Sequence, residues 1–145
     1  MLLAAKILLT VLTLGYSLAT VLADFNKTHA TNPLWTGHAR FHLVWQVASY
    51  NLIGLVMLVL LWVPGAQELA RVWLVWTVAA CVYAAFFLTL GTMGLFGGAN
   101  YDENAYPPFK VTLPGGGGRL LDVNTTVFSA QATILVIALV LLAAA

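Results

Sequence analysis

The sequence predicts an all-α integral membrane protein, a bundle of four helices whose two long connections lie on the same side of the bilayer. Three observations predict it. Hydrophobic residues make up 61% of the 145-residue chain and charged ones only 8%, with a mean hydropathy of +0.93, a composition foreign to soluble domains. Four apolar runs, about 2–23, 42–63, 69–96 and 126–144, each approach or exceed the roughly 20 residues a helix needs to cross the hydrocarbon. The runs lack strand alternation, and an open sheet does not survive in lipid because its edge groups find no partner. A single transmembrane domain over residues 1–145 follows.

The first run has features of a cleavable leader, with Lys6 ahead of an apolar stretch and Val21-Leu22-Ala23 resembling a cleavage site. Its apolar stretch is longer than a leader's core, so a retained membrane helix is expected. Thr10, Thr13, Ser17, Thr20 and Asp24 recur at steps of three and four, which places them along one face. Small hydroxyl side chains of this kind let helices approach closely and bond back to their own backbone.

The second run opens with two imidazoles one helical turn apart, His38 and His42, continued by Gln46 and Ser49, with Tyr50 and Asn51 nearby. If this stripe and that of the first helix both face inward, they form a polar seam, to which Ser129, Gln131 and Thr133 of the last helix can add. The segment Val63-Pro64-Gly65-Ala66 predicts a tight reversal into the third run, where Glu68 and Arg71 have the spacing of an i,i+3 ion pair. The third run exceeds the minimum length, so it tilts or ends in the series Gly91, Gly94, Gly97, Gly98.

With four crossings, the connections Asp24–Phe41 and 97–125 fall on one side, gathering Asp24, His29, His38, His42, Asp102, Glu103 and Asp122 at one surface. Trp62, Trp73 and Trp76 flank the short turn, and Phe25, Trp35 and Trp45 flank the long connections, as two interfacial belts would require. Orientation stays open. Lys27, Arg40, Lys110 and Arg119 on the long-connection side against Lys6 and Arg71 opposite favour a cytoplasmic placement. The sequons at Asn26 and Asn124 favour a lumenal or extracellular one where the host glycosylates.

A formal charge of +1 supplies no basic face, which excludes nucleic acid as a partner. The single cysteine, Cys81, excludes an intrachain disulfide and a CxxC pair, and reads as a small buried hydrophobe. Arg40 reads as an anchor for lipid phosphate.

Ionisable groups at the mouth of a membrane helix are costly unless hydrated, paired or useful. His38 and His42, with Cβ atoms about 6 Å apart on one helix face, can converge on one ligand or one metal ion. For a divalent metal, His29 is a third candidate, with Asp24, Asp102 and Glu103 as carboxylate donors; two such histidines without a cysteine cluster fit iron or manganese as well as zinc. Without metal, the pair exchanges protons or hydrogen bonds with a lipophilic molecule such as a quinone, sterol or polyketide, with Asp24 as the acidic group. Gln46, Ser49 and Tyr50 then orient its polar end. Tyr101, Asp102 and Glu103 begin a stretch of aromatics, acids and prolines that runs to Phe109 and reads as a semi-rigid cap over the mouth. Gly115 to Gly118 is a flexible joint; no Lys-Ser or Lys-Thr follows to make it a phosphate loop.

The stretch Asn32-Pro33-Leu34-Trp35-Thr36-Gly37-His38-Ala39-Arg40-Phe41-His42 resembles one in small four-helix membrane proteins that are broadly DoxX-like. Some members of that group are associated with membrane redox or quinone chemistry, so the resemblance implies a redox or isomerising enzyme acting on a lipophilic substrate. The long glycine-rich third connection departs from the group. A looser similarity to sterol-isomerase-like four-helix proteins rests on architecture. The alternative reading is an accessory or assembly subunit of a larger membrane complex, whose apolar surface packs against the spans of a membrane-protein partner or a second copy, with Gly91, Gly94 and the alanines of the third helix permitting close contact, and whose long connections dock that partner. Transport is the third, with neither broken helices nor inverted repeats to support it.

Overall fold

The computed structural model describes residues 1–101, 107–112 and 118–145. It contains helices α1 (Leu2–Tyr16), α2 (Leu18–Asp24), α3 (Gly37–Trp62), α4 (Glu68–Thr92) and α5 (Val123–Ala143), with a short 3-10 turn at Met93–Leu95. Strands β1 (Phe109–Thr112) and β2 (Gly118–Leu121) form an antiparallel hairpin in the third connection, with Phe109 opposite Leu121 and Thr112 opposite Gly118. Four helical segments, Leu2–Asp24, Gly37–Trp62, Glu68–Leu95 and Val123–Ala143, are long and apolar enough to cross a membrane. The chain is an all-α, multi-pass integral membrane protein, and the hairpin lies between its spans.

Paired contacts fix the direction of each span. Trp62 of α3 donates its indole N–H to Thr10 Oγ1 at 2.9 Å, while Asn51 reaches the Ser17 carbonyl at 3.2 Å, so α1 and α3 run antiparallel. Lys6 meets Glu68 at 2.6 Å and Tyr83 donates to the Leu12 carbonyl at 2.8 Å, so α1 and α4 run parallel. Trp76 donates to the Leu135 carbonyl at 3.1 Å while Phe86 stacks on Phe128, so α4 and α5 run antiparallel. The result is an up-down-up-down bundle with the Asp24–Gly37 and Thr92–Val123 connections at one end, as the sequence requires.

The first span breaks at Ser17, whose φ of −106° and ψ of −84° leave the helical region. Its hydroxyl bonds back to the Thr13 carbonyl at 2.6 Å, and its own carbonyl accepts the Thr20 N–H at 3.1 Å, the Thr20 hydroxyl at 2.6 Å and the Asn51 amide. A hydroxyl competing for the ladder bends a helix, and here a neighbouring helix supplies the extra donor. The bend sits where α3 presents Gly54; a Cβ added there would stand 2.7 Å from Ser17 Cβ. The first span is thus in closest contact with its neighbours, and its polar stripe does face inward: Thr13 and Ser17 are buried, Thr10, Thr20 and Asp24 half-buried.

The core repeats at helical spacing: Ala5, Leu9, Leu12 and Tyr16 of α1, Met57 and Leu61 of α3, Val72, Val75, Ala79 and Tyr83 of α4, and Leu135, Ala138 and Leu142 of α5. Leu52, Leu55 and Val56 of α3 and Val136, Ile137 and Val140 of α5 face outward. Apolar side chains on the outside are what a bilayer solvates and water does not. Cys81 is also on the outside rather than buried, because the inward face of α4 is taken by Val75, Ala79 and Tyr83.

At the short-turn end, Glu68 pairs with Lys6, which also sits 4.9 Å from the Trp62 ring centre. The local Glu68–Arg71 pair expected from spacing does not form. Arg71 donates to the carbonyls of Val63 at 2.7 Å and Gly65 at 3.3 Å, groups that the end of α3 and the turn leave without helical partners.

Candidate functional site

Thr36 sets the start of α3. Its hydroxyl accepts the Ala39 N–H at 3.2 Å as the N-cap, so the helix begins at Gly37 rather than His42 and takes both histidines into its first two turns. The segment before it is held by Asn32, which is buried, donates to the Thr28 carbonyl at 2.9 Å and accepts the Leu34 N–H at 2.9 Å. Asn32 and Thr36 of the Asn32–His42 stretch therefore perform a turn and a cap.

His38 and His42 meet directly, Nε2 to Nε2 at 3.0 Å, with ring centres 4.4 Å apart and ring planes perpendicular. A hydrogen bond between two imidazole nitrogens needs a proton on one and a lone pair on the other, so at least one ring of the pair is neutral while the bond is made. Both rings are exposed. The face of α3 that packs into the bundle carries Val47, Gly54, Met57 and Leu61, and the histidines lie across the helix from it. The inward-facing seam expected for this stripe is therefore corrected: the stripe of helix one faces the interior and the histidine stripe faces outward. Burying two imidazoles in an apolar core would cost desolvation that packing there does not return.

Below the pair, His42, Trp45, Gln46, Ser49 and Tyr50 line an open groove of about 310 Å³. All five belong to α3, so the groove opens sideways from the bundle. The His42 ring lies 6.0 Å from that of Trp45, and Gln46 donates its amide N–H to the Tyr50 hydroxyl at 3.4 Å. Tyr50 is half-buried and touches the interior, its ring edge-on to Tyr16 at 6.3 Å. Tyr16 in turn stands edge-on to Tyr83 at 6.4 Å. The Tyr83 hydroxyl meets both the Leu12 carbonyl and the Gln131 side chain; with one proton it donates to one of them at a time. The Thr13 and Tyr16 hydroxyls are both buried without an aligned hydrogen-bond partner.

Three aromatic residues thus run from the groove into the core, of which only Tyr50 is marked by the stripe pattern. Tyr16 and Tyr83 carry a sequence signal only as members of the core repeats Leu9-Leu12-Tyr16 and Val72-Val75-Ala79-Tyr83. Of the last helix's polar residues, Gln131 joins this cluster, packed so closely on Gly15 that an added Cβ would lie 3.0 Å from its Cδ, whereas Ser129 and Thr133 are exposed.

The remaining predicted residues are placed as follows. Asp24 ends α2, half-buried; its carbonyl accepts the N–H groups of Asn26 at 2.9 Å and Ala30 at 3.0 Å, and its carboxylate interacts with His29. His29 Nδ1 lies 2.7 Å from the Thr28 hydroxyl, and its ring stands edge-on to Trp35 at 5.5 Å. These two therefore belong to the fold of the first connection. Tyr101 is exposed, and Asp102 and Glu103 lie outside the described residues. So do the Asp102–Tyr106 part of the expected cap and Gly115 to Gly117 of the joint. Among the described residues no group of three or more histidine, cysteine, aspartate or glutamate side chains converges as a metal site. Where the third connection rejoins the bundle, Asn100 donates to Asp122 at 2.6 Å and to Thr125 at 2.7 Å, and Asp122 caps α5 by accepting the Thr125 N–H at 2.6 Å.

Fold and site together define a four-span helical membrane protein with a lateral groove on its second span, rimmed by a histidine pair. No family model, no curated protein and no solved structure matches the chain.

Proposed function

We propose that the groove of α3 binds the polar ring of a lipophilic small molecule, quinone-like in chemistry, whose tail lies among the acyl chains. One observation carries this reading: an open groove of about 310 Å³ on α3 is lined by His42, Gln46, Ser49 and Tyr50, all hydrogen-bonding side chains, together with Trp45. That volume is at the lower end of ligand sites, which start at roughly 300 Å³, and suits a single ring rather than a whole lipid. Ring carbonyls accept hydrogen bonds from the histidine, amide and hydroxyl groups, and the shared proton of the His38–His42 pair is available to an oxygen that gains basicity. The resemblance of the Asn32–His42 stretch to DoxX-like proteins agrees with this reading, as does an enzyme of redox or isomerising type.

The test uses the full chain in lipid nanodiscs, with a chelator present, titrated with a short-tailed benzoquinone while tryptophan emission is followed. Saturable quenching that is lost in Trp45→Phe and weakened in His38→Ala/His42→Ala supports the reading. Quenching that rises linearly and is equal in all three proteins refutes it.

A second reading, an accessory subunit, has its own observation. Gly91 and Gly94 meet nothing within 4 Å of an added Cβ, and Leu88, Leu95 and Phe96 beside them are exposed, leaving a close-approach surface for another span. Native mass measurement after gentle extraction distinguishes it: a defined heteromer favours a subunit role, and a monomer argues against it.

A further inference from the structure

We propose that His38 and His42 form a two-point chelate for a divalent transition metal of the copper or nickel type. An imidazole nitrogen binds a first-row metal at about 2.0–2.1 Å. Two nitrogens at about 2.1 Å from one ion stand about 3.4 Å apart at the tetrahedral angle and about 3.0 Å apart at a right angle. The Nε2 atoms of His38 and His42 are 3.0 Å apart. This is the length of the hydrogen bond between the two rings, and it lies close to the right-angle separation of square-planar and octahedral ions, so small ring rotations bring both lone pairs onto one ion.

Three further features fit. Both donors are the outer ring nitrogens at the ends of side chains on successive turns, so an ion is reached without unfolding the helix. Both rings are exposed, so a hydrated ion has access. The hydrogen bond given to these two nitrogens is with each other. An ion therefore replaces this one hydrogen bond, the donor ring moving its proton from Nε2 to Nδ1, and breaks no bond to the rest of the fold. Metal binding and proton binding compete for the same two lone pairs, so affinity falls as pH drops. Two protein nitrogens leave other coordination positions open for water or for an oxygen-bearing ligand. His29, engaged with Thr28 and Trp35 in the first connection, is not a member of this chelate.

The experiment uses the purified full chain in detergent micelles, with copper(II) alone as the probe and no lipophilic ligand added. Electron paramagnetic resonance should show a tetragonal signal split by two nitrogen nuclei, and titration should give one strong equivalent. His38→Ala and His42→Ala should each weaken that equivalent by roughly tenfold or more, the loss expected when a chelate becomes a single contact, and leave one-nitrogen splitting. His29→Ala should leave both readouts unchanged. Because His38 and His42 are exposed, the variants keep the fold, which circular dichroism checks. Copper binding that survives either substitution with its spectrum intact overturns the proposal, as does a wild-type chain that binds no copper. Neither failure bears on the quinone titration, which is run with chelator present.

Discussion

Replacing Gly54 by alanine should loosen the contact on which the bend of the first span depends. The added Cβ would stand 2.7 Å from Ser17 Cβ and 2.8 Å from Ser17 Oγ, against the roughly 3.5–4.0 Å at which carbon atoms attract. The hydroxyl can rotate away, but the Ser17 Cβ is fixed by its backbone, so α1 and α3 must separate by about 1 Å. Overpacking of this kind costs about 1–3 kcal/mol. Separation also stretches the Asn51 bond to the Ser17 carbonyl, now 3.2 Å, and interhelical bonds in membranes average about 0.6 kcal/mol. Against this, alanine is a better helix former than glycine by about 1 kcal/mol. The balance is a loss of up to about 2.6 kcal/mol. Unfolding by dodecyl sulfate in mixed micelles, followed by tryptophan emission, measures it. The decisive comparison is the double variant with Ser17→Gly, which removes the atom that clashes and should recover much of the loss. If Gly54→Ala is as stable as the parent, or its cost is unchanged in the Ser17→Gly background, the close crossing is wrong.

Tyr83→Phe removes the hydroxyl that reaches the Leu12 carbonyl and Gln131; a loss of about 0.6–1.7 kcal/mol is expected in the same unfolding assay, the range for interhelical bonds in lipid. Asp122→Ala removes the cap of α5 and the anchor of Asn100, and should cost about 1 kcal/mol, with faster amide exchange confined to the first turn of α5. The same-side arrangement is tested in a Cys81→Ala background. Cysteines at Thr31 and Tyr101, both exposed, should react with a membrane-impermeant thiol reagent from one face of sealed vesicles, and a cysteine at Ala66 from the other. Labelling of Thr31→Cys and Tyr101→Cys from opposite faces would contradict the bundle.

The spans, the Pro64-Gly65 reversal and the shared side of the long connections were readable because they depend on length and hydropathy alone. So was the inward face of helix one, where hydroxyls at steps of three and four coincide with the tightest packing. The direction of the histidine stripe was not readable in this way. In a helix apolar nearly all round, the inward face is chosen by close approach, here Gly54 against Ser17, and hydropathy is blind to it. The helix starts at Gly37 and Val123, capped by Thr36 and Asp122, lie outside the apolar runs that define spans, so hydropathy does not place them. The Glu68–Arg71 spacing suggested a local pair, yet each side chain found a better partner from another part of the chain, Lys6 for one and the turn carbonyls for the other. Sequence separation hides such partners.

The polar groups of this protein divide by the helix face that carries them, and the division assigns consequences. Ser17, Tyr83 and Gln131 sit where spans touch, so their hydrogen bonds replace the water they lack in hydrocarbon, and substitutions there act on stability. His38, His42, Gln46 and Ser49 sit on the outward side of α3, where packing does not need them, so substitutions there should leave stability little changed. Tyr50 belongs to both sets, with its ring against Tyr16 and its hydroxyl beside Gln46 in the groove. A ligand that fixes Tyr50 must therefore also press on Tyr16 and, through it, on Tyr83. Occupancy of the groove should thus slow unfolding of the α1–α4 contact, and removing the Tyr50 ring should uncouple the two while leaving each intact.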